Sequence, residues 1–102
     1  MREQVADSVE LVATLVARPG METALVDAVL GIVPNVRKES GCISYIPHVV
    51  KDRPGTIVMY EVWADQASLD AHASGENLES LAAQFDVLLS EPLRLEVLRR
   101  IG

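Results

Sequence analysis

The stretch TIVMYEVW, Thr56 to Trp63, limits most tightly what this chain can become. It reads as a strand, in which successive side chains point to opposite faces. Val58, Tyr60 and Val62 fall on one face, and Ile57, Met59, Glu61 and Trp63 on the other. Glu61 apart, both faces are apolar, so both must be covered. A sheet with helices on one side only leaves the second face bare. The simplest cover is a second copy related by a two-fold axis, and a homodimer is the expectation.

The flanking pattern supplies the helices. Val9 to Ala17 reads as a first strand, stopped by RPG at Arg18 to Gly20. Met21, Ala24, Leu25, Ala28, Val29, Ile32, Val33 and Val36 recur at helical spacing. Pro34 predicts a kink or an early end there. Cys42 to Val50 reads as a second strand, with Pro47 at an edge or bulge. KDRPG reads as a turn into the third strand. Asp65 is a natural N-cap for a helix over Gln66 to Ala73. A further helix is expected over Asn77 to Leu89 and a fourth strand over Leu93 to Ile101. This order is the split βαβ pattern of an α+β ferredoxin-like sandwich, with a four-stranded antiparallel sheet. The polar residues 1–8 read as a loose lead-in, and residues 9–102 as one domain.

Composition removes several functions. A net charge of −6 repels a phosphate backbone, and no basic run suggests a lipid surface, so neither nucleic acid nor membrane is an expected partner. Cys42 is the lone cysteine and forms no internal disulfide, which fits a reducing cytoplasm. Only four residues in a hundred are aromatic, so where each one sits is informative.

Several motifs stand in a consistent order. RPGMET opens the first helix, ESGCISY opens the second strand, and His48 follows Tyr45 in a Y-x-x-H spacing. Tyr60, Glu61, Trp63, Asp65, Leu69 and His72 make a Y-E-x-W-x-D-x-x-x-L-x-x-H pattern, and SEPL precedes the last strand. In these the chain resembles the antibiotic biosynthesis monooxygenase domains, from about Val9 to Ile101. The resemblance implies a dimeric α/β-barrel relative acting on a quinol or other electron-rich aromatic with dioxygen and no bound cofactor. The haem-cleaving branch commonly carries a second Trp where this chain has His72, and a His ten residues later. That later position is Ala82, so the haem pattern is broken.

Oxygenation of a phenol without metal or flavin needs a general base, donors for the resulting oxyanion, and a dry apolar pocket. His72 is the candidate base, since an unperturbed imidazole titrates close to neutrality. Trp63 offers a ring for stacking and an indole N–H. Glu61, among apolar neighbours, is a candidate proton relay with a raised pKa. Met59 and Phe85 are expected in the pocket wall, and His48 is a further candidate lining residue. His48 and His72 have no Cys/His cluster or H-x-x-x-H spacing, so no metal site is expected. Each residue also has a structural reading: His72 half-buried on a carbonyl, Trp63 a core anchor, Glu61 paired with an arginine of a dimer mate. The alternatives for the whole chain are an isomerase or tautomerase of a small oxygenated metabolite, and a non-catalytic binding or stress-related dimer.

Overall fold

A computed structural model of the chain describes residues 7–102, so the expected lead-in lies almost wholly outside the described residues. The elements run β1 (Val9–Val16), α1 (Glu22–Val36), β2 (Cys42–Val50), β3 (Arg53–Trp63), α2 (Gln66–Ala73), α3 (Glu76–Ala82), α4 (Phe85–Leu88) and β4 (Arg94–Leu98). The strands form one antiparallel sheet in the order β2-β3-β1-β4. This is the expected α+β ferredoxin-like sandwich. No helix among the described residues is long and apolar enough to cross a membrane.

The alternation in β3 decides the layers. Ile57, Met59, Glu61 and Trp63 are buried, and lie in register beside Leu15, Ala13, Leu11 and Val9 of β1. Against this face α1 sets Leu25, Val29, Val33 and Val36, which complete the aliphatic core. Residues of the other parity, Val12, Val58, Tyr60 and Val62, are only half-buried, and Ile46 and Leu98 beside them are exposed. An apolar sheet face is thus left open in the single chain.

Four expectations change in detail. Helix α1 neither ends early nor loses its last turn at Pro34, but continues to Val36. The proline removes one N–H from a largely solvent-facing ladder position, whereas Val33 and Val36 bury fully on either side. The turn in KDRPG is confined to Lys51 and Asp52, with β3 starting at Arg53. Pro54 is tolerated there because the ladder to β1 begins only at Thr56. The single helix expected over Asn77 to Leu89 is two, broken at Ala83 and Gln84. The break lets the chain return to the end of β1, where the Leu88 carbonyl accepts from Arg18 N–H at 2.8 Å and Leu89 bridges Ala17. Strand β4 is shorter than expected and pairs with β1 alone. All its residues are exposed, with Leu95 at 57% and Val97 at 69%. Pro47 lies on the edge strand β2, as its missing N–H requires.

Candidate functional site

The site grows from one strand end and the helix after it. Asp65 ends the extended chain and its Oδ1 accepts from Ser68 N–H at 2.8 Å, which starts α2. Hydrogen bonding from Ser68, its side chain first and this backbone N–H second, holds the Asp65 carboxyl below the usual carboxylate range. With α2 begun there, His72 in its last turn points back onto the sheet and is buried. Its imidazole stacks on Trp63 with centroids 4.6 Å apart and planes 27° apart. Tyr45, opposite Glu61 in the β2–β3 register, meets the same ring edge-on at 5.5 Å.

Two carboxylates flank this imidazole. Glu39 Oε1 lies 3.0 Å from Nδ1, and Glu61 Oε1 lies 3.9 Å from Nε2. Glu61 also accepts from the Trp63 indole N–H at 2.9 Å. Burial pushes the Glu61 carboxyl up; the indole hydrogen bond and the His72 imidazole draw it partly back, and the Glu39 charge adds to the rise. The Tyr45 phenol is pushed far up by burial first and by Glu61 and Glu39 second, so it stays protonated as a donor. Burial, then the same two carboxylates, also raises the Cys42 thiol.

Tyr45, Glu61 and His72 form the polar end of an otherwise apolar cavity. Met59, Leu69, Leu81 and Phe85 are among its walls. The room open to the centre of a water-sized sphere is about 50 Å³. Ala73, Leu78, Phe85 and Leu93 belong both to this cavity and to a groove on the surface, which marks its mouth between the ends of α2, α3 and α4 and the lead into β4.

A model of the antibiotic biosynthesis monooxygenase family matches residues 8–84. The chain belongs to this family. The probable quinol monooxygenase YgiN of Escherichia coli K12 is 36% identical over 90 aligned residues, covering 76% of this chain and 86% of YgiN. Among solved structures, PA3566 from Pseudomonas aeruginosa superposes with a TM-score of 0.87 at 28% identity, covering 94% of this chain and 96% of its own. Rv0793 from Mycobacterium tuberculosis gives 0.85 at 27% identity, covering 93% and 96%.

On this family frame the candidate residues separate. Glu61, His72, Met59 and Phe85 meet at one cavity. Trp63 does not line it: the ring is fully buried behind His72, and its N–H is taken by Glu61 rather than offered to a ligand. His48 is exposed on β2 opposite Val58, on the other side of the sheet from Glu61, and outside the cavity. Three residues at the site went unassigned in the sequence. Tyr45 was one step of strand parity away, since it shares the Glu61 face. Glu39 stands inside the ESGCISY motif, read only as opening the second strand. Asn77, which donates to Glu39 Oε2 at 2.7 Å, had no local signal at all.

Proposed function

We propose that this protein is a cofactor-independent monooxygenase that oxidises a quinol or another electron-rich aromatic with dioxygen. The observation that carries the reading is the convergence of an imidazole, a carboxyl of raised pKa and a protonated phenol at the end of an apolar cavity. Family membership and the similarity to YgiN support the reaction class.

His72 Nε2 takes the proton of the bound phenol, turning the substrate into an electron-rich anion. The Tyr45 hydroxyl donates to the oxyanion in a site with little competing water. The anion passes one electron to dioxygen, and the two radicals combine with formation of a carbon–oxygen bond. His72 returns its proton to the resulting peroxide, whose O–O bond then breaks. One oxygen atom stays on the ring and the other leaves as water with two hydrogens, so quinol and dioxygen give hydroxyquinone and water. Glu61, at 3.9 Å from Nε2, stabilises the imidazolium between these transfers. A ring larger than the present cavity enters by displacing Leu78 and Phe85 at the mouth. The open sheet face supports a homodimer, with each subunit keeping its own cavity on the helix side.

An oxygen electrode with metal-free protein and a panel of hydroquinones and anthrones tests the reading. Oxygen uptake is expected, and His72→Ala lowers kcat by about 10²- to 10⁴-fold, the usual range for a general base. Proton exchange or isomerisation of a small hydroxyketone without oxygen uptake would replace the oxygenase with an isomerase. Equal rates for wild type and His72→Ala would remove the site assignment.

A further inference from the structure

We propose that Glu39, held by Asn77, fixes His72 as the Nδ1–H tautomer and so leaves the Nε2 lone pair facing Glu61 and the cavity. A carboxylate offers only acceptors, so at 3.0 Å from Glu39 Oε1 the Nδ1 atom carries the hydrogen. On the other side, 3.9 Å between Nε2 and Glu61 Oε1 is too long for a hydrogen bond. The stronger partner of the neutral ring is therefore Glu39, and which nitrogen of a histidine is protonated follows the hydrogen bond that the other makes. Without Glu39 the Nε2–H form points its hydrogen at Glu61 and has no lone pair for a substrate proton.

The surroundings hold Glu39 still. Its second oxygen accepts from Asn77 Nδ2 at 2.7 Å, so one carboxylate ties the α1–β2 turn to α2 and α3 together. Within the turn, Glu39 N–H donates to the Val36 carbonyl at 2.9 Å and Cys42 N–H to the Glu39 carbonyl at 3.1 Å. Gly41 follows at φ +80°, where a Cβ would collide with the Ser68 side chain, so the turn lies flush against α2. Around His72 the other groups are Trp63 and Glu61 from β3, and Tyr45 from β2; Cys42 beside them has a raised thiol pKa. None of these contacts engages Nδ1 in a hydrogen bond. Glu39 acts through His72 and is a positioning residue.

The consequence for rate rests on the reading of His72 as the base, but the tautomer does not, so it is measured directly. Long-range ¹H–¹⁵N correlation at about pH 8, above the unperturbed imidazole range, reports the protonated nitrogen of each ring. The protein has two histidines, and His48→Ala leaves the His72 signals alone. Wild type is expected to show Nδ1–H. Glu39→Ala moves the ring toward Nε2–H, whereas Glu39→Gln, whose amide oxygen still accepts, retains Nδ1–H. In turnover, Glu39→Ala lowers kcat by roughly 10- to 100-fold with KM little changed, as for other groups that orient a functional imidazole. A wild-type Nε2–H signal, or an imidazolium persisting at this pH, would overturn the proposal even if Glu39→Ala failed to fold. An unchanged tautomer in folded Glu39→Ala would do the same. Nδ1–H in a protein that turns over no substrate would leave this inference standing and sink the oxygenase.

Discussion

The two faces of the sheet carry the same chemical pair in different settings. On the helix side Trp63 donates its indole N–H to Glu61, and on the open side Tyr60 donates its hydroxyl to Glu10 at 2.5 Å. Both pairs join an aromatic donor to a carboxylate. The first is roofed by α2, so burial raises the Glu61 carboxyl and brings His72 and a cavity against it. The second lies on a half-buried surface, where the hydrogen bond to Glu10 raises the Tyr60 phenol and keeps it a neutral strut. Burial, rather than residue type, separates a pair set against the cavity from one at an open surface. Strand parity decides which pair receives the roof.

The contrast can be broken at several points. Trp63→Ala should destabilise the protein by about 3–5 kcal/mol, the range for truncating a buried aromatic, in a denaturant melt. An equal loss for Tyr60→Ala in a monomeric background would erase the difference between the faces. Val58→Lys puts a charge on the open face and should weaken self-association at least roughly 100-fold, about 3 kcal/mol. Light scattering at micromolar concentration should then give a monomer mass where wild type gives a dimer. A wild-type monomer under the same conditions would show that the open face is not a subunit interface.

Smaller effects test the helix side. Because the Glu61 carboxyl is raised in the folded state, the folded chain keeps that proton to higher pH than the unfolded chain does. Stability is therefore lost as pH rises from the ordinary carboxylate range through the folded value. Glu61→Gln keeps an acceptor for the indole, so its melting temperature should exceed wild type near neutral pH, with the gap closing in acid. Its turnover should fall. A gap that widens in acid would contradict the assigned direction. His48→Ala, exposed on the edge strand, should change stability by less than about 0.5 kcal/mol and leave turnover unchanged.

Much of this molecule was legible in local pattern. The β3 alternation named both faces, Asp65 marked the start of α2, and Leu69 with His72 pointed that helix at the sheet. Periodicity failed where distant backbone intervened. The stripe through Leu78, Leu81, Phe85 and Leu88 suits one continuous helix, yet hydrogen bonds from Arg18 to the far end of that segment hold it folded back. Pro34 misled in the opposite direction, because its penalty is local while Val33 and Val36 are held by the whole core.

By itself the sequence determined the order of the strands and the two-faced sheet, and it singled out Glu61 and His72 as candidates. Those follow from near-neighbour rules, since strand parity and helical spacing are properties of a few adjacent residues. Tertiary structure alone decided that Trp63 stands behind the cavity, that His48 lies on the opposite face, and that Glu39 and Asn77 hold His72. His72 and Glu39 are 33 positions apart and Asn77 and Glu39 are 38 apart. Side chains so distant meet only when the packed layers bring them together, and a hydrogen bond of about 3 Å depends on that packing rather than on spacing along the chain.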